Sequence, residues 1–192
     1  RGYWGQCERQ RGGGMRVRVA LLRGVNVGGA GRLPMVEFRA TLVGLGLERV
    51  RTYIQSGNAV FDSYLSPAGL EALIRDAVAD RFGFAPDTFV LAAKEMAAAL
   101  TDHPFAKADQ ACVHVFFLRE TPAPDDAALR ALALPGDAWS IGPRRFTLHT
   151  PGGIGRSKLA EKLPRLLPSP MTARNLRTIA ALAAMAADLA QA

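Results

Sequence analysis

Cysteine is nearly missing from this 192-residue chain, which has only Cys7 and Cys112. One lies in a polar first stretch and the other inside an apolar strand pattern. A disulfide framework or a cysteine zinc site is thereby excluded, and a reducing cytoplasm is the expected compartment. Long hydrophobic runs are missing too: none approaches the roughly 20 residues needed to cross a bilayer, so no membrane partner is expected. The three histidines, His103, His114 and His149, show no metal-ligand spacing, and paired acids for hydrolysis do not stand out. No metal or cofactor is implied. Lysine occurs only at 94, 107, 158 and 162, so the basic residues are nearly all arginine.

The chain is otherwise 49% apolar and 21% charged, ordinary for a globular protein. Residues 1–14 are polar and aperiodic, lack the apolar middle of a signal peptide, and read as a disordered upstream extension or cloning remnant. They hold Arg1, Arg9 and Arg11 against Glu8, so +2 of the net +7 belongs to them and +5 to the remainder. That excess is compatible with nucleic acid or phosphorylated ligands without demanding either.

From Val17 to Val25 nearly every residue is apolar, the pattern of a strand covered on both faces. Met35, Phe38, Leu42 and Leu45 then follow at helical spacing, after Pro34. Val50, Thr52 and Ile54 alternate with Arg49, Arg51 and Tyr53, and Gln55-Ser56-Gly57-Asn58 turns the chain into Ala59-Val60-Phe61 as a hairpin. Ser66 and Pro67 start a helix with Leu70, Leu73, Ile74, Ala77 and Val78 on one face, and Thr88 to Ala92 is a fourth strand. This β-α-β-β-α-β order is that of a split βαβ, ferredoxin-like plan. In it the first and second strands are parallel and separated by the third. The connection after the first strand and the turn after the second are therefore expected to meet.

After a short helix at 94–100 the pattern restarts. Cys112 to Leu118 is a strand, Asp125 to Leu132 a helix, 138–141 and 145–149 a hairpin, and Ser157 to Leu166 a helix. Thr172 to Asn175 reads as the cap of a terminal helix carrying Leu176, Ile179, Leu182 or Ala183, Met185 and Leu189. The expected fold is α+β: two ferredoxin-like halves, 15–93 and 94–192, packed into one compact unit, with a C-terminal helix.

Two glycine-rich connections carry the chemistry. The first, Arg23 to Gly31, lets the backbone present N–H groups ahead of the helix opened by Pro34. It is no Walker loop, since Gly29 is followed by Ala30-Gly31, and it lacks the third glycine of the dinucleotide pattern. Arg23, at the end of an apolar strand, must either pair with a carboxylate or reach an anion. Asn26, Gly28, Gly29, Gln55, Ser56 and Asn58 complete the candidate site, although Ser-Gly-Asn is equally good turn chemistry. The second connection runs through Gly155, Arg156, Ser157 and Lys158 into a helix start, and Arg174 and Asn175 repeat its logic at the last helix. Ser157 and Lys158 are adjacent on a helix and diverge, so they form no dyad.

The segments LLRGVNVGG, RTYIQSGNAVFDS, GIGRSKL and MTARNLRTI, in that order, resemble the bacterial domain-of-unknown-function 1697 family over roughly Met15 to Ala192. The motif positions are Arg23, Gly24, Asn26, Gly28 and Gly29, then Tyr53 to Asn58, then Thr172, Arg174 and Asn175. The resemblance implies a two-part α+β fold of ferredoxin-like halves and brings no established activity. Leu176 departs from it, standing where the family often has Trp.

The expected function is binding of a small anionic, phosphorylated or nucleotide-like ligand at the edge formed by Arg23 to Gly31 and Gln55 to Asn58. A nucleic-acid surface of Arg49, Arg51, Arg144, Arg145 and Arg156 is the alternative. It is not favoured in the base-stacking form, because the central strands offer only Phe61. An enzyme of unrecognised chemistry would need a titratable group at the same edge, and the sequence places none there. Nothing in it specifies an oligomeric state.

Overall fold

Apolar alternation and caps decide the first half of the chain. The computed structural model describes residues 14–29 and 31–191, so the expected disordered extension, apart from Gly14, lies outside the described residues, as does Ala30 of the first glycine-rich connection. Within this range the chain forms two compact units, 14–96 with 182–191, and 97–181. In the first, β1 (Arg16–Leu22), α1 (Met35–Gly44), β2 (Glu48–Tyr53), β3 (Asn58–Ser63), α2 (Pro67–Phe82) and β4 (Thr88–Ala92) follow in order. The sheet is antiparallel with order β2-β3-β1-β4, so β1 and β2 run parallel on either side of β3.

The helix α2 shows how local chemistry sets the boundaries. Ser66 Oγ accepts from Gly69 N at 3.2 Å, Pro67 occupies the first turn, and Gly83 closes the helix at φ 77°. Its Leu70, Ile74 and Val78 pack with Phe38 and Leu42 of α1 onto Ala20, Leu22, Phe61 and Val90 of the sheet. Each such side chain stabilises the unit by about 1.5–3 kcal/mol on burial. The opposite face, with Val19, Leu21, Val60 and Leu91, is buried as well, which is why β1 reads as a continuous apolar run.

The second unit repeats this order between two helices, Ala93–Thr101 and Leu176–Gln191, each of which has residues in both units. After α3 (Ala93–Thr101) come β5 (Val113–Leu118), α4 (Asp126–Leu132), β6 (Ala138–Gly142), β7 (Arg145–His149), a short 3-10 turn (Ile154–Arg156), α5 (Lys158–Leu166), β8 (Met171–Asn175) and α6 (Leu176–Gln191). The strand order is β6-β7-β5-β8, and Leu129, Leu159 and Leu163 cover Phe116, Phe146 and Leu148. One expectation is corrected: Thr172 to Asn175 is not primarily a helix cap but most of β8, paired antiparallel with β5 from His114↔Asn175 to Leu118↔Met171. Asn175 still caps, its Oδ1 accepting from Thr178 N at 3.0 Å. Leu176 is buried, so the position where the resemblance has Trp belongs to packing here. Among the described residues no helix is long and apolar enough to cross a membrane.

Two outcomes follow from the strands. Gly57 sits at φ 71°, and a Cβ there would stand 2.5 Å from Val25 Cγ2 and 2.9 Å from Leu22 Cβ. Gly57→Ala therefore lowers unfolding free energy in a urea titration by about 2–4 kcal/mol, combining left-handed strain with overpacking. His114, on β5, has a buried Nδ1 with no partner among the described residues, and burial holds its pKa below 6.5. The unfolded chain takes up the proton first as pH falls, so stability is full above about 6.5 and is lost progressively below it. His114→Leu should flatten the fall in melting temperature between about pH 7.5 and pH 5.

Candidate ligand-binding edge

The antiparallel registers bring the end of β1 to the β2–β3 turn. Leu22 N donates to Gly57 O at 2.9 Å, and Asn58 stands opposite Leu21. Beyond β1, Gly24, Asn26, Gly28, Gly29 and Gly31 all take positive φ, Asn26 at 55°. Asparagine tolerates this conformation better than most side chains. It is also the knot of the edge: its Nδ2 donates to Gln55 O at 2.7 Å and Leu33 O at 2.9 Å, while its Oδ1 accepts from Leu33 N at 2.8 Å. The glycine-rich connection, the hairpin turn and the entrance to α1 are thereby held at one place.

The candidate residues divide between scaffold and surface. Asn58 is fully buried, its Nδ2 donating to Tyr53 O at 3.1 Å and Ser56 Oγ at 2.8 Å. Asn26, Ser56 and Asn58 thus serve the turn architecture. Arg23, Gly28, Gly29 and Gln55 are exposed. Arg23 points its Nη1 at Asp87 Oδ2, 3.4 Å away, with both side chains about half exposed, and its backbone N–H donates to Asp87 O at 2.9 Å. Such a pair is weak in water. Asp87 was not singled out in the sequence, although it directly precedes β4, and the β1–β4 register sets Leu22 against Thr88.

The edge also has an apolar rim. Ile54, expected to continue the alternation of β2, instead leaves the strand at φ 46° and is 50% exposed. Val27 is 65% exposed on the facing connection. The start of α1 has Pro34 as its N-cap and no side-chain cap, leaving its first N–H groups to solvent or a ligand.

The second glycine-rich connection borders a cleft of about 380 Å³ formed by Phe116, residues 154–158 and Glu161. Arg156 and Lys158 are exposed there, whereas Ser157 Oγ is spent capping α5, accepting from Ala160 N at 3.1 Å. Glu161 lies on the same rim beside Lys162 Nζ at 2.7 Å, and this contact holds its carboxyl below the usual range. Arg174 does not join this group. It pairs with Val115, on the sheet face opposite Phe116, and its Nη1 donates to Thr172 Oγ1 at 3.0 Å and Ala173 O at 2.8 Å. Burial pushes its pKa down to about 10, so it stays charged at neutral pH.

The arginines considered for a nucleic-acid surface also separate. Arg145 is buried, with its Nη2 at 3.0 Å from Asp102 Oδ2, and so offers no surface charge. Arg49 pairs with the buried Asp62, and Arg51 lies 3.9 Å from Asp188. Arg144 and Arg156 are exposed, and Phe61 is wholly inside the core, where it cannot stack on a base.

Comparison with known proteins gives a family and a similar solved structure. The solved structure of conserved bacterial protein SP0830 from Streptococcus pneumoniae is similar at 26% identity and a TM-score of 0.68, over 90% of this chain and 99% of that one. No curated protein matches. A model of the family described as "Protein of unknown function (DUF1697)" matches residues 15–146, which include Arg23 to Gly31 and Tyr53 to Asn58. On that match, which spans well over half its length, the chain belongs to the DUF1697 family of proteins of unknown function.

Proposed function

We propose that the protein, acting in the bacterial cytoplasm, binds a small phosphorylated or nucleotide-like anion at the edge of the first sheet, on a scaffold of two ferredoxin-like halves. The observation that carries this reading is the Asn26 knot, which holds the glycine-rich connection, the Gln55 turn and the entrance to an uncapped helix together, with the exposed Arg23 three residues earlier on the same connection. Backbone N–H groups and the positive end of α1 favour negative charge there. Arg23 supplies a fork-shaped donor whose present partner, a half-exposed carboxylate 3.4 Å away, is easily exchanged for a phosphate. Val27 and Ile54 give the non-ionic part of such a ligand an apolar surface to lie against. Binding and positioning are the chemistry this arrangement supports, with Arg23 and the backbone of Gly28 and Gly29 as the contacting groups and Gln55 as a neutral donor and acceptor.

Calorimetric titration and thermal shift of the full chain against inorganic phosphate, nucleotides, sugar phosphates and short RNA test this reading. One ligand should stabilise the protein in a saturable way, by about 2.7 kcal/mol at a hundredfold excess over Kd. Arg23→Ala should abolish that response while changing the stability of the free protein by less than about 0.5 kcal/mol, because only an exposed ion pair is lost. A ligand response that survives Arg23→Ala, or silence of the unaltered protein to the whole panel, would count against the site. RNA binding that weakens steeply with salt but ignores Arg23 would point to dispersed arginines instead.

Asn26 should behave in the opposite way. Asn26→Gly keeps the left-handed conformation accessible and removes only the amide with its three hydrogen bonds. It should cost about 2–3 kcal/mol in urea unfolding even without ligand.

A further inference from the structure

The two sheets treat their outer strands differently. β2, at one edge of the first sheet, carries Glu48, Arg49 and Arg51, and its register with β3 shifts between Glu48 and Arg51. Charge and a bulge are the devices that keep an edge strand from pairing with another chain. β4 and β8, the other outer strands, are mostly buried. β6 has none of these protections: its sequence, Ala-Trp-Ser-Ile-Gly, contains no charge and no proline, its pairing with β7 is regular from Ala138↔His149 to Gly142↔Arg145, and among the described residues no strand lies on its outer side.

The two-residue turn Pro143-Arg144 makes Gly142 and Arg145 a hydrogen-bonded pair, so by alternation Ser140 and Ala138 also bond towards β7. The backbone groups of Trp139 and Ile141 therefore face outwards. Their side chains share the helix-covered face of the sheet, opposite Leu148 and Phe146. Trp139 packs against the core and lies under the Arg130 guanidinium at 5.6 Å, beside a groove of about 430 Å³, whereas Ile141 is 48% exposed.

We propose that β6 is a self-pairing edge, through which two copies of this chain join antiparallel about Ser140, fusing two four-stranded sheets into one of eight. The strand is complementary to itself in this register. Trp139 stands opposite the partner's Ile141 and Ile141 opposite the partner's Trp139, so both side-chain pairs match an aromatic with a β-branched residue. The same two pairs exchange about four main-chain hydrogen bonds. Asp137 precedes the strand and Arg144 follows it, so antiparallel pairing brings acid near base at both ends, while a parallel arrangement would set like charges together. A two-fold arrangement of this kind closes on itself and leaves no free β6 edge for further growth.

Sedimentation equilibrium of the full chain from about 1 to 200 µM, at a salt concentration that leaves backbone pairing intact, reads the association directly. The unaltered protein should pass from monomer to dimer across this range, and Ile141→Lys should weaken the dimer by roughly tenfold or more, since the change acts twice in a symmetric pair. Circular dichroism and melting confirm that this variant is folded. Independently, Ser140→Cys with Cys7→Ser and Cys112→Ser should form a dimer on mild oxidation. Facing residues at a non-hydrogen-bonded antiparallel position lie about 4.5–5.5 Å apart, within disulfide reach. Ala138→Cys in the same background opposes the partner's Gly142 and should not crosslink. A protein that stays monomeric throughout, or a dimer that tolerates Ile141→Lys and fails to crosslink at 140, would overturn the proposal.

Discussion

One amide holds the first sheet's edge together. Asn26 takes a backbone conformation that most residues avoid, and its side chain then satisfies a donor and an acceptor of Leu33 and an acceptor of Gln55. Without those bonds the glycine-rich connection would have little to define its path, since glycine loses the most conformational freedom on ordering. The helix α1 would also lose its fixed entry, because Leu33 lies two residues before Met35. The ligand reading depends on this constraint, which turns a flexible segment into a surface with fixed donors.

Most of the fold was legible because its boundaries have local causes. Ser66, Pro67 and Gly83 bracket α2 by capping chemistry, and Asp125 and Ser157 do the same at the starts of α4 and α5. β8 was missed because it runs into α6 without a loop, so a strand ending in Thr-Ala-Arg-Asn looks like a cap, and its last residue does cap the helix. Ile54 misled for a related reason: side-chain alternation persisted one residue after the backbone had turned. At the site, Arg23 and its neighbours were visible as chemistry, but the partners that decide their roles were not. Asn26 binds backbone groups, which carry no residue identity, and Asp87 reaches Arg23 only through the β1–β4 register.

Charge counting fails here for a physical reason. Arg18, Arg145 and Arg174 are all at least nine-tenths buried, so part of the chain's basic excess never meets solvent. Arg145 keeps a carboxylate, while Arg174 is held by a hydroxyl and a carbonyl as well as by its wider surroundings. Buried guanidinium groups remain ionised and act as rigid donors within the fold. The electrostatic surface is therefore set by a few exposed arginines whose positions matter more than their number.

If the edge binds an anion as proposed, Asp87 is its built-in competitor. Under the proposed function, an anion at Arg23 would share or compete for the guanidinium with a carboxylate 3.4 Å away, an intramolecular partner whose hold is weak because both side chains are half exposed. A free monocarboxylate offers the guanidinium nothing that Asp87 does not already supply. A doubly charged phosphate offers more charge and more acceptor oxygens. Under the proposed function, a singly charged acid would therefore gain little at Arg23, and the ligand class narrows to dianions.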